Sequence, residues 1–212
     1  MRRLGGLIRV LAAGLLAGAA ALAWAGNQRE EALSASVQAA LSKSIADQAP
    51  PASSFADSGE AALWLADMSR RLSRRIGDDK YRLEFLRTVH YEARRAGLDP
   101  QWILGLIEVE SAFRKYAVSS AGARGYMQVM PFWVRQIGRP DDNLFSLRTN
   151  LRYGCTILRH YLDIEKGELY RALGRYNGSL GKPDYPNLVV RTWQRNWQYT
   201  THTADTARAP AS

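Results

Sequence analysis

Apolar side chains recur at helical spacing through most of the chain between residues 57 and 200. The clearest repeat runs from Tyr81 to Ala96 and stops at Gly97, a residue type that often ends helices in the left-handed conformation. Other helical patterns begin after the capping sequence Asp57-Ser-Gly-Glu60 and cover residues 131–137, 147–162, 168–174 and 188–199. No segment alternates as several turn-bounded strands would. The pattern predicts an all-α globular domain.

Glu110 interrupts the apolar face of one of these helices. Asp99 and Pro100 open that helix at the positions that suit a capping side chain and a residue without an N–H. At about 100° per residue, Glu110 falls in the same arc as Ile107, whereas Glu108 points nearly the opposite way. Burial raises the pKa of a carboxyl group, which suits a general acid. The alternative is a Glu whose stem packs on the core while its head reaches water or an Arg.

The first 25 residues predict a secretory signal peptide. Met1-Arg-Arg and Arg9 precede an uncharged stretch up to Gly26, and Ala23-Trp-Ala25 offers a cleavage site. The apolar stretch is shorter than the ~20 residues that a membrane helix needs. We therefore expect cleavage after Ala25, no stable membrane span in the mature protein, and secretion across the inner membrane into the periplasm. An uncleaved membrane anchor is the alternative.

Composition divides the remaining chain into three parts. Residues 26–56 form a polar leader and linker that includes Pro50-Pro-Ala-Ser-Ser54, and we expect a short, peripheral helix there. Residues 57–200 carry the helical patterns and are long enough for one domain with its own core. Residues 201–212 are expected to form a flexible tail.

Charge and metal-ligating residue types limit the partners. The formal net charge is +9, and removal of three basic signal residues leaves +9 − 3 = +6. An exported basic protein is attracted to cell-wall polymers and membrane surfaces, so nucleic acid is not an expected partner. Cys155 has no second cysteine to pair with, and His90, His160 and His202 lack metal-ligand spacing. Neither an intrachain disulfide nor a metal site is predicted.

Short motifs follow Glu110 in a fixed order. They are Glu110-Ser-Ala-Phe113, Ala117-Val-Ser-Ser-Ala-Gly-Ala123, Gly125-Tyr-Met-Gln-Val-Met-Pro131, then Asn150, and Arg175-Tyr-Asn-Gly178. The series resembles the lytic transglycosylases of the soluble, goose-lysozyme-like type (SLT domain, family 1), which cleave the glycan strands of bacterial peptidoglycan. The resemblance covers about residues 98–190 and implies a lysozyme-like helical fold. It is specific because several separate blocks recur in order, whereas an isolated Glu-Ser pair would mean little.

The resemblance also implies roles for single residues. Glu110 matches the single catalytic acid of the family, and Asn150 matches an Asn that opens a later helix and has a structural role. The resemblance implies six substrate-binding residues. Ser119, Met127 and Gln128 match residues that line the cleft, and the hydroxyl of Tyr176 matches one near the acid. Asn177 completes the Tyr-Asn pair, and Tyr185 lies near a position that closes the cleft.

Two positions depart from the family pattern. Tyr126 stands where the family usually has Leu, and Gly178-Ser179 stands where Ala-Gly is usual. Both departures bear on the local shape of the cleft and on substrate preference, not on the acid.

The chemistry of glycoside cleavage explains the need for such an acid. Ordinary glycosidases use two carboxylates. The other acids each have a simpler explanation as a cap, a turn residue or a solvated helix face: Asp99, Asp141, Asp142, Asp163 and Glu165. The resemblance implies that the substrate supplies its own nucleophile. In that scheme Glu110 protonates the leaving oxygen and then acts as base toward the 6-hydroxyl of N-acetylmuramic acid, which gives a 1,6-anhydro end and needs no cofactor.

Two other functions remain open at this point. A hydrolytic muramidase would use the same acid with water as the nucleophile. A wall-binding accessory protein of an envelope-spanning machine would keep the fold with incidental catalysis, although the presence of Glu110, Ser119, Gln128 and Tyr176 together argues against an inactive enzyme.

Overall fold

The computed structural model describes residues 28–46 and 59–200. Over these ranges the chain forms eight α-helices, a final π-helical turn at Trp193–Trp197, and no β-strand. The helices are α1 (Ala35–Ala46), α2 (Gly59–Leu72), α3 (Asp79–Arg95), α4 (Pro100–Ser111), α5 (Phe132–Ile137), α6 (Leu147–Ile164), α7 (Leu169–Tyr176) and α8 (Asp184–Thr192). The prediction of an all-α domain is confirmed.

Several predictions concern residues that the structure does not describe. The signal peptide predicted at 1–25, the linker predicted at Pro50-Pro-Ala-Ser-Ser54, the cap predicted at Asp57 and the tail predicted at 201–212 lie outside the described residues. Of the helices that are described, none has the length and apolar character needed to cross a membrane.

Side-chain caps fix the first turns of α3 and α4. The Asp78 carboxylate accepts the backbone N–H of Tyr81 at 2.6 Å, and Asp99 accepts that of Gln101 at 2.8 Å. These bonds satisfy N–H groups that a helix leaves unpaired at its start, and a proline occupies the first turn of α4 where no N–H is needed. Helix α4 therefore begins where the sequence predicted.

Helix α4 lies at the centre of the core and contacts α3, α8 and the π-helical turn. Its fully buried apolar side chains are Ile103, Leu104, Leu106 and Ile107. A Cβ atom added at Gly105 would lie 2.8 Å from the Cβ of Trp193, so glycine is needed for this close approach. The C-terminal helices are thereby held directly against the helix that carries Glu110.

The leader is not peripheral, which differs from the expectation. Leu41 and Ile45 of α1 are buried within the main core. The side chain of Gln38 donates to the carbonyl oxygen of Gln136 at 2.6 Å, which fastens α1 to the end of α5. Burial of two large apolar side chains stabilises this docking by roughly 3 kcal/mol or more.

A buried carboxylate joins α3 to α6. Glu92 is fully buried and forms ion pairs with Arg95 at 3.0 Å, Arg152 at 2.9 Å and Arg148 at 3.5 Å. A buried charge without such partners would be costly. Cys155 of α6 is buried without a disulfide, and burial raises the pKa of its thiol. We therefore assign this part of α3 and α6 a structural role.

Candidate active site

Helix α4 ends one residue after Glu110, and the chain turns sharply there. Ala112 and Phe113 both adopt left-handed backbone conformations, with φ of 49° and 63°. Such conformations are unfavourable for residues with a Cβ and persist only where the surrounding structure holds them. Packing of the Phe113 ring against Phe85 and Trp197, at centroid distances of 5.9 and 5.3 Å, holds this turn in place.

The carboxyl group of Glu110 lies in the protein interior, with the residue 1% exposed. Its Oε1 accepts a hydrogen bond from the Tyr185 hydroxyl, whereas Oε2 has no hydrogen-bond partner among the described residues. Burial raises the pKa of Glu110 from 4.5 to about 8, and the hydrogen bond from Tyr185 offsets part of that rise. At pH 7 about nine in ten molecules therefore carry the proton. This carboxyl group can act as an acid.

Asn150 builds the loop that covers one side of this region, residues 117–129. Its Oδ1 accepts the Met127 N–H at 2.8 Å, and its Nδ2 donates to the carbonyl oxygens of Arg124 and Leu144, both at 2.8 Å. A Cβ atom at Gly125, where φ is 74°, would collide with the Asn150 side chain. Asn150 thus has a structural contact for each of its polar atoms.

Gln128 holds the same loop from within. Its Nε2 donates to the carbonyl oxygens of Ala117 at 3.1 Å and Gly125 at 2.9 Å. Its backbone is left-handed, with φ of 48°, and the residue is fully buried. The amide nitrogen of Gln128 therefore bonds only within the loop, whereas its Oε1 has no hydrogen-bond partner within the described ranges.

Both predicted tyrosines lie close to Glu110, but only one is hydrogen-bonded to it. The Tyr176 hydroxyl donates to the carbonyl oxygen of Met127 at 2.7 Å, and the Tyr185 hydroxyl donates to the Glu110 carboxyl group. Burial raises the pKa of Tyr176, and the charge of Glu110 adds to that rise, so Tyr176 is near the acid. The direct contact of Tyr185 with the acid is an addition to what the sequence predicted.

Three further predicted site residues are buried in the 117–129 loop and at the end of α7. Ser119 is 7% exposed, and its Oγ accepts the Ala123 N–H at 3.1 Å. Asn177 caps the end of α7 and donates to Ser179 Oγ at 3.0 Å, which gives one departure from the family pattern a structural partner. Met127 is fully buried against α6, close to Gly154.

The remaining acids have other partners. Glu108 binds Trp197 Nε1 at 2.6 Å, Asn196 Nδ2 at 3.0 Å and Arg75 at 2.5 Å, so it fastens the π-helical turn. The five acids set aside from the sequence act as a helix cap or contact Arg or Tyr: Asp99, Asp141, Asp142, Asp163 and Glu165. Glu165 is buried rather than solvated. Among the described groups, no second carboxylate contributes to the pKa shift of Glu110.

Gln28 is a neighbour of the site that the sequence did not reveal. Its Oε1 accepts the Trp133 Nε1–H at 2.9 Å, and its side chain lies near enough to Tyr176 to lower the pKa of that tyrosine. Gln28 is only 5% exposed. It lies in a polar leader without periodicity, so the sequence contained no signal for this contact.

A family model supplies the decisive comparison. The model of the transglycosylase SLT domain matches residues 87–187, a range that contains Glu110, the 117–129 loop and Tyr185. Residues 87–187 are thus similar to a transglycosylase SLT domain. The buried carboxyl group, the loop and the two tyrosines all lie within that range.

Relatives of the SLT domain carry matching names. The membrane-bound lytic murein transglycosylase C of Mannheimia succiniciproducens is 46% identical over 136 residues, covering 55% of this chain and 35% of that protein. Its counterpart in Actinobacillus pleuropneumoniae serotype 5b is 54% identical over 48 residues, covering 23% of this chain and 13% of that protein. A transglycosylase of Enterobacteria phage PRD1 is 28% identical, covering 51% of this chain and 43% of that protein. The chain thus spans less than half the length of each.

A solved structure also aligns with the chain. The lytic transglycosylase Slt of Pseudomonas aeruginosa, an inactive mutant, is 21% identical with a TM-score of 0.42, covering 83% of this chain and 36% of that chain. This similarity is too low to support a conclusion about the present site.

Proposed function

We propose that the protein is a peptidoglycan lytic transglycosylase that cleaves the β-1,4 bond between N-acetylmuramic acid and N-acetylglucosamine. The observation that carries this proposal is the buried carboxyl group of Glu110, which has a pKa of about 8 and lies in the range that matches the SLT domain. The printed names of the relatives are consistent with it, since they are lytic murein transglycosylases.

In the first step Glu110 acts as a general acid. It holds its proton at neutral pH and donates it to the glycosidic oxygen while the bond from the anomeric carbon to that oxygen breaks. Oε2 is the donor oxygen, because Oε1 is engaged by the Tyr185 hydroxyl. That hydrogen bond also stabilises the carboxylate left after proton transfer.

In the second step the same carboxylate acts as a base. It removes the proton from the 6-hydroxyl of N-acetylmuramic acid while that oxygen bonds to the anomeric carbon. Glu110 regains its proton, and the sugar ends as a 1,6-anhydro ring with no water consumed. The absence of a second carboxylate from the described surroundings of Glu110 favours an internal nucleophile over a two-carboxylate hydrolysis.

The substrate-binding residues act mainly by shaping the cleft wall. The amide nitrogens of Gln128 and Asn177 and the hydroxyl of Tyr176 already have partners within the protein. Ser119 and Met127 fix the shape of the 117–129 loop from within, through the bonds of the Ser119 Oγ and of the Met127 N–H. Because Glu110 is 1% exposed, the glycan reaches its proton only after Tyr185 and α8 shift away from the carboxyl group.

We also propose that the protein works in the periplasm on glycan strands, after export by its N-terminal segment. The basic charge of the chain favours contact with the anionic cell wall. The named relatives are membrane-bound enzymes, which is consistent with a location at the bacterial envelope. An envelope machine that recruits it is a further possibility within this proposal.

The mass of the reaction products tests the function. We expect digestion of purified glycan strands to yield anhydro ends, each one water lighter than a hydrolytic end. Mass spectrometry separates the two products directly. Hydrolytic ends would instead make the protein a muramidase, and strands left intact by folded protein would favour the wall-binding accessory role.

A further inference from the structure

A cavity of about 970 Å³ opens between α3, α6 and the chain that follows α4. Its lining residues are Tyr81, Glu84, Arg87, Thr88, Lys115 and Tyr116, with residues 143 and 145–148 on the opposite side. None of the residues that the sequence assigned to the active site lines it. The volume lies at the upper end of the range for small-ligand sites, about 300–1,000 Å³.

The charges around this cavity favour an anionic ligand. Arg87, Lys115 and Arg148 line it, against the single acid Glu84. Arg148 is engaged by the buried Glu92 at 3.5 Å, so Arg87 and Lys115 are the cations that face a ligand. The Lys115 ammonium lies over the rings of Tyr116 and Tyr81, at 5.3 and 5.9 Å from their centroids, which holds it at the cavity wall.

Aromatic rings provide an apolar surface beside these cations. The Tyr116 side chain is 71% exposed, and its ring contacts that of Phe145 at a centroid distance of 5.8 Å. An exposed ring of this size, paired with a second ring at a cavity mouth, suits contact with methyl groups or with a flat polar backbone. Cations and apolar surface therefore lie within one cavity.

Tyr126 connects the cavity to the active-site loop. Its hydroxyl is 2.7 Å from the Tyr81 hydroxyl in the cavity wall. The next residue, Met127, accepts the hydrogen bond from Tyr176 beside the acid. A Leu at position 126, the usual residue of the family, has no hydroxyl to make this bond. The departure at Tyr126 thus gives the cavity residue Tyr81 a hydrogen-bond partner.

We propose that this cavity binds the stem peptide of peptidoglycan, an inference that rests on the proposed function. The stem peptide is short, carries several carboxylates and has small methyl side chains. Its carboxylates pair with Arg87 and Lys115, and its methyl groups lie against Tyr116 and Phe145. The cavity then selects glycan strands that still carry peptides.

Binding of a free stem tetrapeptide tests the proposal apart from catalysis. The protein is the full mature chain with Glu110→Gln, and the affinity is measured by calorimetry at low salt. We expect saturable binding that weakens about tenfold in the double variant Arg87→Ala/Lys115→Ala, since each partly exposed ion pair contributes up to about fivefold. The matched control is Arg74→Ala/Lys43→Ala, which removes two exposed cations outside the cavity.

Equal weakening in both double variants would overturn the proposal, because it would show only a general charge effect. Equal affinity for an unrelated acidic peptide of the same length would also overturn it, since the cavity would then have no preference for the stem peptide. Full binding by Arg87→Ala/Lys115→Ala would place the peptide elsewhere.

A second readout separates this proposal from the proposed function. With Glu110 intact, kcat/KM is compared on peptide-bearing strands and on strands stripped of peptide by an amidase. We expect a preference for peptide-bearing strands, expressed in KM, that disappears in Arg87→Ala/Lys115→Ala and persists in the control. Cleavage of both substrates without preference would refute the cavity assignment alone, whereas cleavage of neither would refute the enzymatic function.

Discussion

Glu110→Gln is expected to lower turnover of glycan strands by about 10³-fold or more while leaving the fold intact. The amide keeps the volume of the side chain and an oxygen that accepts from Tyr185, but it has no proton to donate to the glycosidic oxygen. Loss of a general acid alone typically costs 10²–10⁴-fold. Release of anhydro products from purified strands measures the effect.

The matched control is Glu108→Gln, the same substitution two residues earlier on α4. Glu108 contacts Trp197, Asn196 and Arg75 rather than substrate, so this variant is expected to lose stability but keep most of its activity at low temperature. Activity in Glu110→Gln close to that of the wild type would remove Glu110 from the mechanism.

Glu110→Gln should also change how stability depends on pH. The pKa of Glu110 is about 8 in the folded protein and near 4.5 when unfolded, so the carboxyl group stabilises the fold fully only below about pH 4.5. This contribution is lost as the pH rises through 8. The variant should therefore become more stable than the wild type as the pH increases, which also shows that its loss of activity is not a loss of folding.

Asn150→Ala is expected to lower the free energy of unfolding by about 3 kcal/mol or more. The change leaves the Met127 N–H and the carbonyl oxygens of Arg124 and Leu144 without partners in a buried place. Each such group costs roughly 1–3 kcal/mol, although relaxation and water entry reduce the sum. Urea unfolding of the wild type and the variant gives the difference.

Asn187→Ala serves as the control for this change, because Asn187 is exposed on α8. Exposed substitutions of this kind usually change stability by no more than about 0.5 kcal/mol. If Asn150→Ala and Asn187→Ala unfolded at the same urea concentration, the 117–129 loop would not depend on Asn150.

The position of Glu110 was predictable because it follows from local rules. Asp99 and Pro100 mark the start of α4, and the helical period then assigns Glu110 to the apolar side. The burial of the carboxyl group and its raised pKa agree with that reasoning.

The contacts of the tyrosines were less predictable, since they depend on how distant helices pack. The sequence predicted the last helix from Leu188, but α8 begins at Asp184 and includes Pro186 in its first turn. A proline is tolerated there because no N–H is needed. The earlier start brings Tyr185 onto a rigid helix beside Glu110, whereas Tyr176 turns toward Met127.

The docking of the leader could not be read from the sequence for a similar reason. Residues around Gln28 are polar and without period, yet its amide pairs with a buried Trp133. Hydrogen bonds between segments 105 residues apart leave no trace in local spacing. Only a motif that spans both segments would have indicated the contact.

The central claim is that one buried carboxyl group holds its proton at neutral pH, and direct titration of Glu110 tests it. The measurement follows the ¹³C signal of glutamate carboxyl groups in the full mature protein, with Glu110→Gln used to assign the signal that disappears. A pKa near 8 is the expected result. A pKa near the ordinary 4.5 would contradict the account, because the acid would then be ionised before it met the glycan.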